Sequence, residues 1–97
     1  MAISAKKLHT SFAVKVVTHT GEGRNWTVEL WELTGDGTST SVTVNTSLLT
    51  PIFATAVGKD VSFEGYIDPS ATGGVTVTFT SAPGSGKKFL LKIEGWA

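Results

Sequence analysis

Apolar and polar residues alternate with a period of two over most of this sequence, the signature of half-buried β-strands. "SFAVKVVTH" (11–19) sets Phe12, Val14 and Val16 on one face, against Ser11, Ala13 and Lys15 on the other. "NWTVELWEL" (25–33) sets Trp26, Val28 and Leu30 against Thr27, Glu29 and Trp31, and the first set is expected to face the core. Four more alternating runs follow. "SVTVNTS" (41–47) turns Val42 and Val44 inward, and "KDVSFEGYID" (59–68) turns Val61, Phe63 and Ile67 inward, with Gly65 marking a bulge. "VTVTFT" (75–80) contributes Val77 and Phe79, and "KFLLKIEGW" (88–96) contributes Phe89, Leu91 and Ile93. The pattern predicts about six strands, with Trp31, Tyr66 and Trp96 on outward positions.

Between these runs lie Gly-, Ser- and Pro-rich segments. "GEGR" (21–24), "TGDGTSTS" (34–41), "PSATGG" (69–74) and "SAPGSGK" (81–87) read as turns. Gly-Asp-Gly in the second predicts a hairpin, because glycine accepts positive φ without penalty. One stretch breaks the alternation. In "LLTPIFATAVGKD" (48–60), Thr50 suits a helix N-cap, Pro51 the first helical position and Gly58 a left-handed stop. These signals predict a short helix over 51–57 with Ile52, Phe53, Ala56 and Val57 on one side; a plain loop is its rival. The expected class is therefore all-β, a small single-domain β-barrel or sandwich with one short helix. "MAISAKKLHT" (1–10) is expected to be an N-terminal arm ahead of a β domain spanning 11–97. Besides Met1, its large apolar residues are Ile3 and Leu8, too few to offset roughly 1–2 kcal/mol of backbone entropy per ordered residue.

"SVTVNTSLLTPIFATAVGKDVSFEGYI" (41–67) resembles the strand–helix–strand segment of OB-fold proteins, including their G-K-D-V…E-G approach to a fourth strand. That likeness lies in element order and implies an OB-like barrel that binds single-stranded nucleic acid. The strand succession is also similar to that of small phage virion proteins of the decoration type, which implies a compact sandwich with an assembly role.

Composition narrows the choice. Charged residues make up 16% of the chain, below the roughly 25% of an average domain, and eight basic residues balance eight acidic ones. A nucleic-acid binder usually carries a net basic field, because neutralising phosphates supplies most of its affinity. The chain has no cysteine, which excludes disulfides and thiolate chemistry. "MAISAKKLHTSF" carries no long apolar run of the kind a signal peptide or membrane span needs, so a chain made in the cytoplasm, without membrane contact, is expected.

Little in the sequence points to catalysis. Its two histidines, His9 and His19, stand near no serine in a nucleophile-elbow context. His19 and Glu22 lack a third ligand for zinc, and Asp36, Asp60 and Asp68 flank turns, where aspartate bonds locally. "GSGKKF" (84–89) fails as a phosphate-binding loop, because Ser81 and Lys88 stand where that motif needs glycine and Ser/Thr. No enzyme activity, cofactor or metal is expected.

Two functional readings remain. In the first, the chain is a structural assembly module, a small phage virion component such as a head decoration protein. It would bind protein, itself or a capsid lattice, through Ile3, Lys6, Lys7, Leu8, Trp31, Tyr66 and Trp96. In the second it is a cytoplasmic single-strand binder using Lys15, Arg24, Trp31, Tyr66, Lys87 and Lys88. Glu29, on the same strand face as Trp31, would repel phosphate and favours the first. Carbohydrate binding through Trp31 and Tyr66 has no positive signature.

Overall fold

The alternating runs fold as strands of two antiparallel sheets. The computed structural model describes residues 2–17, 23–48, 50–69 and 74–96, with side chains for all of these except 11–17 and 23–25. In chain order the strands are β1 (Ser4–Val17), β2 (Gly23–Thr34), β3 (Ser41–Val44), β4 (Thr50–Gly58), β5 (Gly65–Asp68), β6 (Val75–Phe79) and β7 (Lys88–Trp96). One sheet has the order β1-β2-β7-β4, the other β3-β6-β5. Among the described residues no ladder joins an edge of one sheet to an edge of the other, so the sheets do not close into a barrel. The core lies between them: Trp31 and Leu33 from β2 and Phe89, Leu91 and Ile93 from β7 meet Val44, Val75, Val77 and Phe79. Phe63, Phe79 and Phe89 close one end, Phe63 edge-on to the other two and Phe79 tilted against Phe89, with ring centroids 5.0–6.3 Å apart.

β6 and β7 follow the expected alternation without a slip, and every second residue is buried. Val44 is buried as expected, and Val42, Phe63 and Ile67 pack against the core. The expected positions of Phe12 and Val14 lie outside the described side chains.

The first correction concerns residues 51–57, which form strand β4 and no helix. Thr50, Ile52, Thr55 and Val57 are β-branched and Phe53 is aromatic, a composition that favours the extended chain. Ala54 and Ala56 stand opposite the bulky Ile93 and Leu91 of β7, so small residues fill the space that large neighbours leave. Pro51 is tolerated because β4 is an edge strand and the ladder is bulged between Pro51 and Phe53. Across the same ladder, Gly95 leaves the Thr50 carbonyl room that any Cβ would take.

β2 carries the second correction. Thr27, Glu29, Trp31 and Leu33 face the core, while Trp26, Val28 and Leu30 face away from it, the reverse of the expected parity. Both faces of this strand hold large apolar residues, so alternation does not choose between them. Leu33, fully buried, belongs to the same face as Trp31, and the two together outweigh Glu29 beside them once that acid is satisfied.

The remaining corrections concern connections. Residues 4–10, expected as an arm, form the first half of β1, paired to β2 from Ser4 opposite Thr34 onward, and Ile3 is buried in the core. The ladder supplies the backbone bonds that side-chain anchors alone would not. The Gly-Asp-Gly segment is no hairpin, because β2 and β3 belong to different sheets. Its turn is made by Asp36, whose carboxylate accepts from Thr38 N, Ser39 N and Ser39 Oγ at 2.7–2.9 Å, with Gly37 at φ 88°. Backbone bonds from Gly35 to Lys87 and from Gly37 to Pro83 pin it against the 83–87 turn. Residues 59–64 carry the chain from one sheet to the other, so the expected strand begins only at Gly65, and Val61 is exposed.

Candidate functional site

Two features stand out: a buried acid within the core, and the face of the four-stranded sheet turned away from it. Glu29 is fully buried. Its Oε1 accepts from Trp31 Nε1 at 3.0 Å and Thr46 Oγ1 at 2.7 Å; its Oε2 accepts from Ser47 N at 3.1 Å and from Ser47 Oγ. Lys7 Nζ stands 3.6 Å from Oε2 and 5.7 Å from the centre of the Trp31 ring. Burial alone pushes this carboxyl up, but the hydrogen bonds from Ser47, Thr46 and Trp31 outweigh it and hold the pKa below its ordinary value. A carboxylate so occupied and kept ionised is poorly suited to general acid or base work at neutral pH. Its role is to tie the 46–48 segment and β1 onto β2.

The outer face is set by the ladders. Trp26 lies opposite Trp96; Val28 opposite Glu94, which lies opposite Phe53; Leu30 opposite Lys92, which lies opposite Thr55; Glu32 opposite Leu90, which lies opposite Val57. Trp26 and Trp96 meet edge-on at 4.9 Å, and Trp26 Nε1 donates to Glu94 Oε1 at 3.2 Å. Phe53 and Val57 are more than half exposed, and Val28, Leu30 and Leu90 are half-buried without joining the core. Most of the charges on this side are paired within the chain. Lys92 reaches Glu94 at 3.6 Å, and Glu32 receives Lys59 at 3.2 Å and Lys88 at 3.6 Å. The hydrogen bond from Lys59, with Lys88 adding its charge, holds Glu32 below its ordinary pKa. The result, among the described residues, is a largely apolar surface whose two acids are paired, with Lys6 of β1 at its margin opposite Glu32.

The residues singled out in the sequence scatter over this framework. Trp31 is buried beside Glu29 and Lys7, and Ile3 is buried in the core. Lys6 and Leu8 are exposed on β1, Leu8 at a bulge. Trp96 packs on Trp26, and Tyr66, on β5 of the other sheet, is the most exposed large apolar residue among those described. Lys87 pairs with Asp60 at 3.6 Å, and Lys88 with Glu32. The side chains of Lys15 and Arg24 lie outside those described. The structure thus joins Lys7 with Trp31, and does not join Tyr66 with Trp31. The Glu29 cluster escaped the sequence because its hydroxyl donors lie 17 and 18 residues further along. The polar run Asn45-Thr46-Ser47 after β3 was the one visible sign.

A cleft lined by Val61, Glu64, Phe79, Pro83 and Phe89 has a volume of about 150 Å³. That is below the ~300 Å³ at which small-molecule pockets begin. Among the described residues no three His, Asp or Glu side chains gather to hold a metal ion, and no helix is long and apolar enough to cross a membrane. No protein-family model matches the chain, and no curated protein is similar to it.

Proposed function

We propose that this chain is a non-enzymatic assembly module, a small virion component of the phage head-decoration kind, that binds protein through the outer face of its four-stranded sheet. The observation that carries the reading is the pairing of Glu32 and Glu94 with Lys59, Lys88 and Lys92 on a face bearing Trp26, Leu30, Leu90, Phe53 and Val57. Apolar surface with its charges already matched suits a protein partner, since aromatic and aliphatic anchors supply binding energy and unmatched charge opposes it. Among the described residues the same pairing engages Lys59, Lys88 and Lys92, which weakens the draw of this face on a phosphate backbone. Low charge and abundant Thr, Ser and Gly fit extensive neutral contacts in a lattice.

The test is binding of a labelled single-stranded DNA oligonucleotide at physiological salt, beside the protein's own mass in solution. The expected results are no DNA complex at micromolar concentration and self-association that changes little as salt rises, because apolar burial is not screened. Micromolar DNA binding that weakens steeply with salt overturns the reading.

A further inference from the structure

The four-stranded sheet ends on one side in β1 and on the other in β4, and the two edges are guarded very differently. β1 carries Lys6, Lys7 and Lys15 and is bulged twice, between Lys7 and His9 and between Phe12 and Val14. Charges and bulges are the devices by which sheet edges avoid pairing with another chain. The edges of the other sheet, β3 and β5, are four residues each. β4 runs nine residues, "TPIFATAVG", with no charge at all. Its proline and its bulge protect only the start, at 51–53. From Phe53 to Val57 the edge is regular and unguarded.

The direction of the open peptide groups follows from the ladder. Lys59 N donates to the Lys88 carbonyl, which makes Lys59 and Lys88 a hydrogen-bonded pair. Counting back along the alternation of an antiparallel ladder, Val57, Thr55 and Phe53 turn their peptide groups toward β7, and Ala56 and Ala54 turn theirs outward. We propose that this edge pairs with the same edge of a second copy, antiparallel about a two-fold axis at Thr55, to give one continuous eight-stranded sheet. In that register Ala54 and Ala56 exchange hydrogen bonds with Ala56 and Ala54 of the second copy. Phe53 lies across from Val57, an aromatic against a β-branched residue on the exposed face, and the two alanines stay on the core side. The segment is therefore complementary to itself, which is what an isologous contact requires. Thr55 meets its own copy as a non-hydrogen-bonded pair, with Cα atoms roughly 4.5 Å apart. This inference rests on the assembly reading and names one partner for it, the chain itself.

The test uses Thr55, whose side chain points outward beside Lys92. Thr55→Glu places two like charges on the axis and gains a lysine neighbour within the monomer, and Thr55→Lys does the reverse for the axis. Mass is measured by sedimentation over ~1–500 µM, which brackets micromolar to submillimolar association. In a Leu30→Glu background, which disrupts the outer face without touching β4, the parent is expected to dimerise, each Thr55 variant to remain monomeric with a far-UV spectrum like the parent's, and an equimolar mixture of the two variants to dimerise again. In a chain without cysteine, Thr55→Cys should also oxidise to a single cross-linked dimer, since the predicted spacing suits a disulfide. A wild type that stays monomeric over the whole range, a mixture that fails to dimerise, or no cross-link overturns the β4 pairing. If instead wild type associates and Leu30→Glu alone is monomeric, β4 pairing falls while the assembly reading stands; DNA binding overturns the assembly reading itself.

Discussion

Replacing Glu29 by glutamine keeps the size of the side chain and removes its charge. Each carboxylate oxygen now faces one donor that cannot turn away: the Trp31 indole N–H on Oε1 and the Ser47 backbone N–H on Oε2. The hydroxyls of Thr46 and Ser47 can rotate to accept; the two N–H groups cannot. Whichever way the amide is placed, one N–H, the buried indole of Trp31 or the part-buried amide of Ser47, meets another donor, at a cost of about 1–3 kcal/mol. The bonds that survive lose their charge assistance, roughly another 1 kcal/mol. Relief from burying a charge works the other way, but the lowered pKa of Glu29 says that this site prefers the ion to a neutral group. The expected net loss is about 2–4 kcal/mol, or at least ~8 °C in melting temperature for a domain of this size. Urea unfolding followed by tryptophan fluorescence at neutral pH reads it. The pH dependence isolates the cause. A carboxyl whose pKa is lower when folded contributes stability that is full above its ordinary 4.5 and lost as pH falls through the folded value. The gap between wild type and Glu29→Gln should therefore narrow as the solution is taken from neutral to about pH 3, while Glu32 and Asp36, shifted in the same direction, contribute equally to both proteins. A variant within ~0.5 kcal/mol of wild type, or a gap that does not change with pH, refutes the reasoning.

Gly95→Ala should cost about 1–3 kcal/mol by forcing a Cβ into the Thr50 carbonyl and the Pro51 backbone; an unchanged thermal melt contradicts the close β4–β7 approach. Phe79→Ala should cost about 3–5 kcal/mol, and Phe63→Ala less, because Phe63 is only half-buried; equal losses in chemical denaturation would place Phe63 deeper than the structure does. The Asp36 carboxyl, held by Ser39 and by the Ser39 and Thr38 amides, should titrate by NMR at about 2, and a midpoint at its ordinary 3.8 would mean that the turn is not formed.

Where one strand face was apolar and the other polar, the sequence carried its own register. Val75 to Phe79 and Lys88 to Trp96 are the cases, and Val77, Phe79, Leu91 and Ile93 are buried as their alternation requires. β2 lacked that asymmetry, with tryptophans on both sides, and a buried acid among the inward residues argued against the true face. Burying Glu29 is favourable only with donors from Trp31, Thr46 and Ser47 in place, and two of those come from a segment that folding brings up from across the sandwich. At 51–57 the local helix signals of Thr50, Pro51 and Gly58 were real, yet tertiary pairing to β7 overrode them. A-T-A at 54–56, small residues alternating with a β-branched one, was the overlooked strand signal. The outer face was visible in part, as the Trp26, Val28 and Leu30 set, but was assigned to the core.

The central claim is that this outer face binds protein, and Leu30 sits in its middle, opposite Lys92. Leu30→Glu gains a lysine neighbour and leaves the core untouched, so it alters the face alone. Light scattering of wild type and variant at physiological and at high salt is the direct measurement. The account predicts a wild type heavier, at both salts, than a β4-paired dimer of the 10.2 kDa chain, and a variant no heavier than that dimer with an unchanged melting temperature. A wild type of monomer mass throughout, or a variant that associates as strongly as wild type, contradicts it.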